Sequence, residues 1–129
     1  MAWLPDICRD DELIRDFNSI GDSGDGAWLY WEDMQLDRPL TLEQVANLSE
    51  TGGFVSASRK WHITHCSYMW LKLYRSLQLG YRVDVRLNSE PHIRHCYHAF
   101  LGREPLSDVL DGIGTTLQGD WRPEDGFAK

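Results

Sequence analysis

Two copies of one five-residue unit, His62-Ile63-Thr64-His65-Cys66 and His92-Ile93-Arg94-His95-Cys96, hold most of the metal-binding side chains in this sequence. All five histidines (His62, His65, His92, His95 and His98) and two of the three cysteines lie between positions 61 and 100. On an α-helix, residues three and four apart share a face, so each unit presents two imidazoles and one sulfur on one side. Two such helices packed face to face bring four imidazoles and two sulfurs into one small volume. Nitrogen and sulfur donors suit copper or zinc, whereas magnesium and calcium take oxygen. His62, His65, His92 and His95 are therefore candidate metal ligands and candidate catalytic residues. The plainer alternative is a set of core imidazoles satisfied by hydrogen bonds. His98 follows His95 by one turn but is rotated off the Cys96 side, which suits a solvent-facing position or one that orients a ligand.

The cysteines admit three readings. Cys66 and Cys96 can join two histidines in a structural zinc site, pack as small apolar residues, or bridge to each other beneath the imidazoles. A thiol beside redox-cycling copper is prone to oxidation, so the bridge is the reading compatible with copper, with Cys8 outside it. Asp84 and Glu90 flank the second unit and can serve as acid, base or acceptor for an imidazole N–H; capping or a solvated surface is the ordinary fate of such carboxylates. Other chemistry has little footing. The sequence has no Gly-rich phosphate loop, no HExxH unit and no Ser-centred nucleophile motif.

The elements that must position these residues are mostly helices. Asp10-Asp11-Glu12 suits a helix N-terminus with Leu13, Ile14 and Phe17 on its apolar face. Positions 27–34, with Trp28, Leu29 and Trp31, read as a short helix. Thr41 with Gln44 forms a capping box for a helix with Leu42, Val45, Ala46 and Leu48 inward. Positions 54–57 are β-compatible. A long helix is expected over 58–79, stopped by Gly80; ~100° per residue puts Cys66, Met69, Trp70, Leu73 and Leu77 on one inward arc with His62 and His65 at its edge. Alternation over 82–87 reads as a strand. Ser89 caps a helix with Glu90 and Pro91 in its first turn, ending at Gly102, and 106–110 reads as helical.

The 129 residues fit one domain, mainly α with a small β component, built around the two packed motif helices, with 1–24 and 103–129 as peripheral segments. A net charge of −7 argues against a nucleic-acid groove. No apolar run approaches the ~20 residues of a membrane span, so the chain as given is expected to be soluble. Six Trp, five Tyr and four Phe supply a core and can line a pocket for an aromatic or peptidic substrate.

The pair HITHC and HIRHC, about thirty residues apart, resembles the double HxxHC signature of the UstYa-like proteins of fungal mycotoxin biosynthesis. Lys60-Trp61 before the first unit, Ser89-Glu90-Pro91 before the second, and Asp25-Gly26-Ala27-Trp28 upstream agree with that pattern, so the likeness spans most of 25–101. The resemblance implies a copper-dependent oxidoreductase of secondary metabolism. It would use dioxygen or peroxide to cyclise, hydroxylate or halogenate a small molecule or a ribosomally made peptide. It implies one or two copper ions held by His62, His65, His92 and His95, with Cys66 and Cys96 as the motif cysteines. It also implies a secretory-pathway lumen or endomembrane setting and a homodimer or a pairing with a related family member. Members usually have an N-terminal membrane helix; this chain shows none, and a trimmed lumenal domain is the expectation. Ala99-Phe100-Leu101-Gly102 stands where many members have Leu-Arg and a further cysteine. Two alternatives come from other classes: a zinc-stabilised, non-catalytic binding module, and a metal-independent cyclase or isomerase.

Overall fold

The computed structural model describes residues 6–32, 37–48, 53–84, 87–114 and 127–128. A 3-10 turn, Asp6–Cys8, precedes α1 (Asp11–Phe17), α2 (Leu42–Leu48), β1 (Phe54–Ser58), α3 (Arg59–Leu79), β2 (Val83–Asp84), α4 (Glu90–Leu101), β3 (Val109–Gly114) and β4 (Phe127–Ala128). The fold is mainly α with a small β component, as expected.

Local chemistry sets the helix ends. Asp10 caps α1 by accepting the Leu13 N–H at 3.2 Å. Thr41 and Gln44 exchange side-chain and backbone hydrogen bonds at 2.8 and 3.1 Å ahead of α2, the expected capping box. Ser58 accepts the Trp61 N–H at 3.1 Å and donates to the Asp22 carboxylate, so a negative charge sits at the N-terminus of α3. Gly80 ends α3 at φ 79°, a left-handed turn that glycine adopts without a Cβ clash. Ser89 caps α4.

β1 is buried over Val55–Ser58 and pairs antiparallel with β3, Val55 opposite Ile113 and Ser58 opposite Val109, with a register irregularity between Val55 and Ala57. β2 pairs antiparallel with β4. The core gathers Trp28, Tyr30, Val45, Val55, Ala57 and Trp61, with Phe17, Leu40 and Leu48 packed against it. Trp61 donates its indole N–H to the Tyr30 hydroxyl at 3.0 Å, fastening the first turn of α3 to this core.

Two expected helices are absent. Tyr30 and Trp31 lie in isolated β-bridges, Tyr30 to Leu40 and Trp31 to Ser56, and residues 27–32 are not helical. Bulky aromatics gain more there from pairing beside β1 than from a short unsupported helix; positions 33–34 of that expectation lie outside the described residues. Residues 106–107 form a turn, and Val109 already belongs to β3. Of the strand expected over 82–87, only Val83–Asp84 is observed among the described residues, 85–86 lying outside them. The flanking segments take part in the fold: Phe17 of α1 lies 5.2 Å from Tyr68, centroid to centroid, and β3 gives β1 its partner.

α3 therefore has two working faces. Trp61, His65, Tyr68 and Lys72 look toward α1 and the core, while Arg59, His62, Cys66 and Met69 look toward α4. The single inward arc expected from periodicity is corrected accordingly: Cys66 and Met69 are buried, but Trp70 is 73% and Leu77 67% exposed.

Candidate metal centre

α3 and α4 run antiparallel, and the two HxxHC units meet where they cross. Cys66 and Cys96 form a disulfide with Cα atoms 5.3 Å apart. Cys8 is buried and stands outside that bridge. Beside the disulfide, Nε2 of His62 and Nε2 of His95 lie 2.8 Å apart, with ring centroids at 4.8 Å. His92 is next along α4, its ring centroid 6.5 Å from that of His95.

His65 takes the other face of α3. Its ring stacks on Trp61 at 4.7 Å with 6° between planes, and Phe17 and Tyr68 complete its surroundings at 6.2 and 6.1 Å. Burial pushes its pKa down to about 3. Burial also holds His62 below the usual imidazole range, with His95 and Arg59 adding to the effect. His92 is lowered by burial and by His95, against a hydrogen bond to the Leu87 backbone. These rings are thus neutral near pH 7, the form that offers a lone pair to a metal.

The remaining candidates divide. His98 is exposed, meets the Tyr97 ring edge-on at 5.3 Å, and lines a cavity of about 400 Å³ together with Arg59, His62, His95, Glu104 and Asp108. Glu90 pairs with Arg94 at 3.2 Å on the exposed side of α4. Asp84 pairs through its backbone with Phe127, and its side chain lies outside the described set. A second cavity of about 450 Å³, almost wholly apolar, runs over the disulfide between Met69, Trp70, Leu73, Ile93, Tyr97 and Phe100, and His92 lines it too.

Among the described residues, no group of three or more His, Cys, Asp or Glu side chains forms a set that could hold one ion. The close contact is a pair. Its geometry suits a shared metal: at bond lengths of ~2.0–2.1 Å, two imidazole nitrogens about 90° apart on one ion lie about 2.9 Å from each other, against 2.8 Å observed. The same spacing suits a hydrogen bond between two neutral rings. The disulfide leaves neither motif cysteine a thiolate to contribute.

Arg59, Glu104 and Asp108 are site residues the spacing argument missed. One signal was available: Arg59 and Lys60 open a helix whose first turn has no acidic residue, against the helix dipole.

Compared with family models, curated proteins and solved structures, the chain gives no match in any of the three.

Proposed function

We propose that this chain is a copper-dependent oxidoreductase of secondary metabolism, with His62 and His95 holding the ion and His92 nearest to join them. The observation that carries the reading is the 2.8 Å approach of two imidazole nitrogens from separate HxxHC units. Copper bound there would supply one-electron redox chemistry with dioxygen or peroxide, enough to oxidise an unactivated C–H or phenolic position. The chain's own residues have other tasks. Trp61 backs His65 and keeps that side of α3 dry. The disulfide holds the two motif helices together and removes thiols that would otherwise be oxidised beside the metal. The apolar cavity along Trp70, Ile93, Tyr97 and Phe100 reaches His92, and such a surface fits the hydrophobic part of a small metabolite or peptide. A lumenal setting agrees with the disulfide, and no described helix is long and apolar enough to cross a membrane.

A zinc module built on two thiolates loses its sulfur ligands to the bridge. The hydrogen-bonded form of the His62–His95 pair supports a second reading, a metal-independent cyclase or isomerase, for which chelation leaves activity unchanged. Elemental analysis and electron paramagnetic resonance of protein purified with its disulfide intact test the proposal. Bound copper with nitrogen hyperfine coupling is expected, and it should be lost in His62→Ala and His95→Ala. Full loading in both variants overturns the ligand assignment, and zinc with reduced cysteines points to the binding module.

A further inference from the structure

Arg59 places a positive charge at the N-terminal end of α3, where the backbone dipole is already positive. Locally that is unfavourable; the Asp22 carboxylate behind Ser58 offsets part of it, and the direct partners of the guanidinium lie at the end of the neighbouring helix. The last turn of α4 has His98 but neither Lys nor Arg, and a helix C-terminus leaves carbonyls without intrahelical donors. The Arg59 guanidinium meets them. Nη2 donates to the carbonyls of Ala99 at 3.0 Å and Gly102 at 2.8 Å, Nη1 donates to the carbonyl of Glu104 at 3.0 Å, and Nε lies 3.5 Å from the Glu104 carboxylate. The backbone N–H groups of Arg59 and Lys60 donate to Asp108 and Leu106 at 2.6 and 2.9 Å, so the segment after α4 also closes the start of α3. Arg59 is only 9% exposed. Gly102 makes room for the fork, since a Cβ there would stand 3.0 Å from Nη2.

Arg59, His62 and Cys66 succeed one another at helical spacing on one face of α3. Their partners on α4 are the Ala99–Gly102 end, His95 and Cys96. On α3 the His62 imidazole therefore stands between the forked ion–dipole tie and the covalent tie, while on α4 His95 directly precedes Cys96 and the forked tie holds the helix end beyond both. A single tie at Cys66–Cys96 would leave the helices free to splay about it; two ties fix their separation at the histidines. Lysine keeps the charge but gathers its three donors on one nitrogen, so it cannot reproduce contacts that Arg59 makes from separate, coplanar nitrogens.

We propose that Arg59 is the positioning residue of the His62–His95 pair, setting the distance between the two rings by holding the C-terminal end of α4 against the start of α3. Its metal-binding consequence rests on the copper reading; its geometric claim does not.

The test uses the full chain with its disulfide intact and compares wild type, Arg59→Ala, Arg59→Lys and His62→Ala. In metal-free protein, the nuclear Overhauser contact between the His62 and His95 rings is read. It should be present in wild type and lost in both Arg59 variants while the disulfide persists. With cupric ion as the probe, both variants should bind about tenfold or more weakly, the scale of losing a group that orients a ligand, with a shifted copper hyperfine splitting. If Arg59→Ala does not fold, Arg59→Lys decides. A lowered melting temperature with ring contact and copper spectrum unchanged makes Arg59 merely structural and overturns the proposal. If wild type binds no copper yet the ring contact depends on Arg59, the copper reading falls and the positioning role stands.

Discussion

Cys66 and Cys96 each follow the second histidine of a motif, and their disulfide closes a loop with a sequence separation of 30 residues. The imidazole contact and the covalent bond are adjacent rungs between the same two helices, so loss of the bond should be felt in both stability and metal affinity.

A loop of that length restricts the unfolded chain enough to contribute about 3–4 kcal/mol. The Cys66→Ala/Cys96→Ala variant should accordingly melt roughly 10 °C lower than wild type, measured by circular dichroism without reductant. A thiol count on denatured wild type should find one reactive group before reduction, Cys8, and three after it, the number of cysteines in the chain. Three before reduction would remove the bridge from the picture.

His65 should make the fold acid-sensitive above the carboxylate range. Burial holds it near 3 in the folded chain, while the unfolded chain takes up that proton near pH 6.5. Between those values the unfolded state binds more protons, so stability is present above about pH 6.5 and declines as pH falls toward 3, by at most about 1.4 kcal/mol per unit. His65→Phe keeps an aromatic ring against Trp61 and has no proton to bind, so its stability should be flatter across that window. Urea unfolding at several pH values measures both. Equal slopes for variant and wild type would show that His65 is already protonated where it packs.

Much of this arrangement was legible because its signals are local. Ser58, Gly80 and Ser89 mark helix ends with their own side chains or lack of one, and the HxxHC spacing predicts shared faces. The facing of His65 was not legible. A sequence places His62 and His65 near one another on a helical wheel, but the ~60° between them suffices, with α1 on one flank and α4 on the other, to divide them between two neighbours. Lys72 shows the same limit. It is 3% exposed and held below its usual pKa by burial, because α1 covers a face that α3 alone would present to water. The bridge from Trp31 to Ser56 depends on β1 arriving beside it, and the one from Tyr30 to Leu40 on the chain folding back, which their own neighbourhood does not encode.

Asp10 gives a second acid transition at lower pH. Arg75 donates to it at 2.6 and 3.1 Å, Tyr81 at 2.9 Å, and the Leu13 N–H at 3.2 Å, so one carboxylate ties α1 to α3 and to the chain beyond Gly80. The Arg75 hydrogen bond is the largest of the effects that hold it below the usual carboxylate range. Its contribution is therefore complete above the unfolded value of about 3.9 and disappears as pH falls through the lower folded value. Asp10→Asn should lose about 2–3 kcal/mol at neutral pH, the scale of hydrogen bonds to a charged group, and should lack this lowest transition in an acid titration followed by tryptophan fluorescence. A variant as stable as wild type at neutral pH would show that the three donors are equally well served by water.

The apolar cavity over the disulfide can be tested separately from the fold, because part of its lining is exposed, unlike the buried Met69, Cys66 and Cys96 beneath it. Trp70 is 73%, Tyr97 58% and Ile93 48% exposed, and such positions contribute little to the core. Trp70→Ser and Tyr97→Ser should shift unfolding free energy by no more than about 0.5 kcal/mol each and leave copper loading at the wild-type level. Both should weaken binding of the hydrophobic dye 8-anilinonaphthalene-1-sulfonate, read as fluorescence enhancement, because the cavity then presents hydroxyls in place of aromatic faces. Unchanged dye binding in both variants would mean that this groove takes no apolar ligand. A fall in melting temperature comparable to that of the cysteine variant would mean instead that these rings are structural, packed in solution against something other than water.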